Sequence, residues 1–189
     1  MNEVIEAIRS RRTIKKMDPV RSPTREAVEA VLEAAVWAPN HHLTEPWRFV
    51  VVSGKGRERL GAALADACAA SPVGRSSPER VEIERRKPLD APYIVALICR
   101  PSAEARIAPQ EELVAAGAAL QNALLAAHSL GLASFVRTGE LAYSGEVRRL
   151  FGMRQEELMV GMVYLGYAVN PAPPGRRSPA SGRVTWMDA

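Results

Sequence analysis

Between Leu113 and Leu132 the chain is apolar on every side of a helical wheel, interrupted mainly by Gln121, Asn122 and His128. A bilayer-spanning helix of about 20 residues would bury those polar groups in lipid. A core helix from Glu111 to Leu130, with Gly131 past its end in the C′ position, satisfies them with protein partners instead. A helix that is apolar all round must be covered on every side. A chain of 189 residues has few other elements to do so, and this predicts a second copy of the chain as cover, hence a homodimer.

The remaining elements are shorter. Val4, Ile5 and Ile8 share one helical face, and the pattern breaks at Ser10-Arg11-Arg12-Thr13. Ser22-Pro23 is the expected start of a helix running through Val28, Val31, Leu32, Ala35 and Val36 until Pro39. Asn40 to Pro46 is a polar loop. Phe49 to Val52, Tyr93 to Cys99, Ala133 to Val136 and Met159 to Tyr167 are the expected strands. Their β-branched and continuously apolar character suits a sheet buried on both faces. Helices are predicted over Arg57–Ala70 and Glu146–Phe151. Residues 71–92 are rich in Pro, Ser, Arg and Glu, so the composition predicts a mobile segment, with a short helix near Glu79–Arg86, that acts as a lid. Residues 1–169 then form one α+β domain, and 170–189, with Pro171, Pro173, Pro174 and Pro179, an extended tail.

Composition removes several function classes. Two cysteines, Cys68 and Cys99, cannot staple a disulfide scaffold and lack metal-site spacing. They read as buried thiols in a reducing compartment, which predicts a cytoplasmic protein. The start of the chain carries acids and no apolar run of signal-peptide length. The formal net charge is +4, but the charges are spread along the chain, so no nucleic-acid face emerges. No glycine-rich phosphate loop, Walker lysine or nucleophile elbow is present. His41-His42 has no spaced partners for zinc, so no metal is expected.

Three features carry chemistry, each with a plainer alternative. Arg11-Arg12-Thr13 offers two guanidinium forks and a hydroxyl to a phosphate, or is a solvated basic helix end. Pro39 to Trp47 is either a site loop or a structural corner. Arg137-Thr138-Gly139 after a strand suits an anion or a planar ring near backbone N–H groups, or is a simple turn.

Their order along the chain is more specific than any one of them. An RRT start, a corner ending Glu45-Pro46-Trp47, the helix Gly117 to Leu132, then Phe135-Val136-Arg137-Thr138-Gly139-Glu140-Leu141 and finally Tyr164-Leu165-Gly166-Tyr167 resemble the nitroreductase family, and within it the small YdjA-like branch. The resemblance implies a three-layer sandwich with a mostly antiparallel central sheet flanked by helices, in an interlocked homodimer with FMN at each interface cleft. It implies that Arg11, Arg12 and Thr13 hold FMN with Val136, Arg137 and Thr138, while Trp37 and His41 reach in from the other subunit. It implies an FMN-dependent NAD(P)H oxidoreductase working by ping-pong hydride transfer through flavin N5 to a nitroaromatic, quinone or similar acceptor. No side chain need act as acid or base. Relatives that fragment flavin or dehalogenate aromatic rings, and a flavin binder without turnover, are the alternatives. Glu45 stands where the family more often has Gln, and its charge is expected to need a partner such as Arg48.

Overall fold

The computed structural model describes residues 2–102, 107–172 and 174–187. Four strands, β1 (Trp47–Ser53), β2 (Tyr93–Cys99), β3 (Ala133–Arg137) and β4 (Leu158–Gly166), form one sheet in the order β1-β2-β4-β3. Every neighbouring pair is antiparallel. Side chains alternate across a strand, and β2 uses both sides. Ile94, Ala96 and Ile98 join one core with Leu60, Leu64 and Val147, which belong to α3 (Gly56–Ala70) and α7 (Gly145–Leu150). Val95 and Leu97 join a second core with Val28, Val31, Ala119 and Ala123, from α2 (Arg25–Ala35) and α6 (Pro109–Ser129). The result is the expected three-layer α+β sandwich, with the sheet in the middle.

Several local expectations shift. The cap of α2 is Thr24, whose hydroxyl accepts the Ala27 N–H at 3.2 Å, so Ser22-Pro23 lies before the helix. Val28, Val31 and Ala35 form its buried stripe. Helix α6 begins at Pro109, two residues earlier than expected, and ends with Gly131 at φ +71°. Its stripe of Ala115, Ala116, Ala119, Ala123, Leu124 and Ala127 is buried, but Leu113, Val114 and Leu130 are exposed, Val114 to 72%. One chain therefore leaves part of the apolar wheel bare.

Residues 71–92 depart furthest from the reading of their composition. Helices α4 (Pro72–Ser76) and α5 (Pro78–Arg86) each carry a proline in the first turn behind a serine cap, Ser71 and Ser77. A 3₁₀ turn, Lys87–Asp90, leads into β2. The segment lies on α3 and buries Glu84 and Gly74. Few large apolar residues signal this, because the buried positions of the segment are Gly74, Glu84, Pro88 and Ala91. Residues 170–172 and 174–187 are exposed and extended, apart from a 3₁₀ turn at Ala180–Arg183. Residues 1, 173, 188 and 189, on which parts of the terminal readings fall, lie outside the described residues.

Cys68 and Cys99 are free and buried. Burial, with Glu112 nearby, pushes the Cys99 thiol up to about 11. At pH 8 only about one Cys99 in a thousand is then thiolate. Cys99 is expected to stay unlabelled by iodoacetamide in the native protein and to label fully in urea, read by peptide mass spectrometry. Native labelling would contradict its burial.

Candidate functional site

Strand β3 is an edge of the sheet, and the candidate residues gather at its two ends. After α1 (Glu3–Ser10) the chain turns extended at Arg11. Thr13 bridges Ser134 in parallel, and the Ile14 N–H donates to the Ser134 carbonyl at 3.0 Å. Helix α1 is pinned to the end of α6 through the Ser10 hydroxyl and His128 Nε2, 2.7 Å apart. This places Arg11, Arg12 and Thr13 beside the start of β3. Arg12 Nη1 donates to the Arg9 and Arg11 carbonyls at 2.6 and 2.7 Å. Gly175 of the tail lies so close to the Arg12 guanidinium that a Cβ there would collide with it. Arg11 Nε is buried and has no hydrogen-bond partner among the described residues. Buried polar atoms are rarely left so, and each calls for a partner.

At the other end of β3 a cavity of about 760 Å³ opens. Val136, Arg137 and Thr138 line it, with Lys15 and residues of α3 to α5 opposite, whereas Arg11, Arg12 and Thr13 are not in its wall. That volume is typical of a small-molecule site. Phe135 and Leu141 give it apolar wall, and Phe135 stacks on Tyr164 with ring centroids 4.4 Å apart. Arg137 is not a free cation. Its Nη2 pairs with Glu84 of α5, and its Nη1 lies 3.5 Å from the Tyr164 hydroxyl. Burial pushes the Glu84 carboxyl up, but the Lys87 hydrogen bond and the Arg137 charge overcome it and hold the group below its ordinary range. Burial raises Asp90 at the same cavity. Burial also raises the Tyr164 phenol, against the pull of Arg137. The cavity thus sets an apolar wall, Phe135 and Leu141, beside a group of charged side chains.

Trp37 and His41 do not line this cavity. Trp37 is 85% exposed just past α2. His41 stacks on His42, and its Nδ1 lies 3.0 Å from Glu111 Oε2. The loop is strained, because His42, Leu43 and Glu45 all hold positive φ, +53°, +55° and +47°. Such strain in non-glycine residues accumulates at functional loops. The expected Glu45–Arg48 pair does not form. Arg48 instead forks onto Glu157 at 3.0 and 2.8 Å, since Arg48 lies on β1 and faces the loop before β4.

Lys15, Glu84 and Lys87 line the cavity and were not singled out from the sequence, and Tyr164, named there only within the closing motif, lines it too. A signal existed for Glu84: Arg80 and Lys87 flank it at i−4 and i+3, which surrounds one carboxylate with cations on a helix face. For Lys15 the signal was its place two residues after Thr13 in an extended stretch.

The family model described as the Nitroreductase family matches residues 8–167. The chain is 31% identical over 165 residues to the Escherichia coli (strain K12) protein YdjA, named for an NAD(P)H nitroreductase, and the match covers 87% of each chain. A crystal structure of a nitroreductase with bound FMN from Desulfitobacterium hafniense DCB-2 superimposes with a TM-score of 0.73 at 27% identity, covering 100% of both chains. A nitroreductase-like protein of Bacillus cereus shares the fold with a TM-score of 0.88 at 22% identity, covering 100% of this chain and 98% of that one. No helix among the described residues is long and apolar enough to cross a membrane.

Proposed function

The chain belongs to the nitroreductase family, and from that membership we propose that it is an FMN-dependent NAD(P)H oxidoreductase that reduces a nitroaromatic, quinone or similar acceptor. The observation that carries the reading is Arg11 Nε, a buried donor with no partner among the described residues, beside the same edge strand that walls the cavity. A phosphate is the partner such a guanidinium is shaped for. The residues present therefore fit FMN. Arg11, Arg12 and Thr13 hold its phosphate end, and Val136, Arg137 and Thr138 bound the cavity where its ring and the acceptor lie.

FMN supplies the hydride chemistry, in a ping-pong exchange where NAD(P)⁺ leaves before the acceptor enters. The chain binds, orients and excludes water. Lys15 places positive charge at the cavity wall, where negative charge accumulates during reduction, while Arg137 there is paired with Glu84. No side chain is asked to move a proton. NAD(P)H needs no dinucleotide fingerprint because it visits only transiently.

The working unit is an interlocked homodimer, in which Trp37 and His41 reach the cleft of the second subunit. Exposed Trp37, Leu43, Val114 and Trp186 support this, because a monomer rarely leaves so many large apolar side chains in water. Free buried cysteines suit a cytoplasmic protein.

The purified protein is expected to be yellow, or to take up one FMN per chain, and to bleach on anaerobic addition of NADH or NADPH. Absorbance spectra before and after each addition read this directly. If saturating FMN gives no spectral shift and no fluorescence quenching, the proposal fails.

A further inference from the structure

The cavity beside β3 holds more charge than a slot for a flat ring requires. Glu84 is fully buried, and three cations take its two oxygens. Lys87 Nζ and Arg80 Nη2 lie 2.6 and 3.1 Å from Oε1, and Arg137 Nη2 pairs with Oε2. The side chain of Arg137 is only 13% exposed. All four residues are in the cavity wall, with Lys15, Asp90 and Glu140 as the other charges there. Arg80 and Lys87 belong to the same stretch of chain as Glu84, whereas Arg137 comes from the end of β3. The Glu84–Arg137 pair is therefore the contact that joins the two walls.

We infer that Glu84 tunes specificity: by occupying the Arg137 fork it weakens the hold of this end of the cavity on carboxylate-bearing acceptors relative to neutral ones. The inference rests on the cavity being the acceptor site. A buried guanidinium without a counter-charge would draw in a ligand carboxylate as a charge-assisted fork. Glu84 already fills that role. It is covalently tethered, so its effective concentration at Arg137 is on the order of millimolar or more, and a weakly bound ligand cannot displace it. An incoming carboxylate finds the Arg137 fork taken and a buried like charge beside it, so its attraction to the cations of this wall is reduced.

The test compares 4-nitrobenzoate with 4-nitrobenzamide, which share a shape and differ in charge. Binding to the FMN-loaded full-length chain is measured by calorimetry without NAD(P)H, so no turnover is needed. A lack of FMN uptake or of NAD(P)H oxidation would defeat the functional reading; the ratio of the two affinities judges this inference separately. The native protein supplies the reference ratio. In Glu84→Gln, which keeps the shape and removes the charge, the ratio is expected to move toward the benzoate roughly tenfold or more. The double variant Glu84→Gln with Arg137→Gln is expected to return the ratio toward the native one. An unchanged ratio in Glu84→Gln, no binding of either probe to it, or a shift that persists in the double variant overturns the inference. Should Glu84→Gln not fold, Arg137→Gln alone decides. It leaves the carboxylate less compensated, so benzoate is expected to bind even less well relative to the amide, and a rise would overturn the inference.

Discussion

Glu157→Ala is expected to lower the stability of the fold by about 3 kcal/mol, the lower end of what breaking one side of a buried ion pair costs. Glu157 is 2% exposed. Its carboxylate accepts both arms of the Arg48 fork at 3.0 and 2.8 Å and the Arg154 N–H at 3.0 Å. Arg48 also donates to the Phe151 carbonyl at 3.3 Å from both terminal nitrogens. One carboxylate thus ties edge strand β1 to the end of α7 and the loop entering β4. Its removal leaves a guanidinium with half its partners, though Arg48 is 29% exposed and water recovers part of the loss. Against a total stability of roughly 5–15 kcal/mol, such a loss is large. Urea unfolding is expected to show a lower midpoint at an unchanged slope. A midpoint within error of the native one would show that the pair is ornamental.

The same group sets an acid limit. The hydrogen bond from Arg48, against the opposing effect of burial, holds Glu157 below the ordinary glutamate range. A depressed folded-state pKa stabilises fully above the unfolded value of about 4.3. That stabilisation is lost as pH falls through the lower folded value. Glu157→Gln is expected to flatten this acid slope while losing less stability than Glu157→Ala at neutral pH.

Arg11→Ala is expected to weaken FMN binding roughly tenfold to hundredfold, the loss of one charge-assisted hydrogen bond of about 1.5–3 kcal/mol. The FMN-free protein should melt where the native FMN-free protein does, because Arg11 Nε has no partner among the described residues to lose. Flavin fluorescence titration gives the first number and calorimetric melting the second. Unchanged affinity with a lowered melting point would make Arg11 a structural residue. Arg137→Ala is expected to differ. It orphans one oxygen of buried Glu84, so both affinity and FMN-free stability should fall.

Some of this protein was legible in its residues alone. The order of helices and strands was, because periodicity, β-branching, proline and glycine act over a few residues. Gly131 with its positive φ and the continuously apolar β2 are cases. The charged, hydroxyl-bearing stretch at Arg11 to Thr13 and the one after β3 were legible as site candidates for the same reason, since each is a local cluster of chemically suited groups. The tertiary structure decided which of those charges are already used. Arg137 meets Glu84 across 53 residues, and Arg48 meets Glu157 rather than Glu45 across 109. Residues 71–92 read as mobile because their buried positions are small residues, a proline and a carboxylate held by three cations, not an apolar stripe. The sequence by itself determined the elements and the groups able to bind. Only the fold decided the partners, because a charge pairs with whatever the topology brings within about 4 Å, and no local pattern encodes that distance.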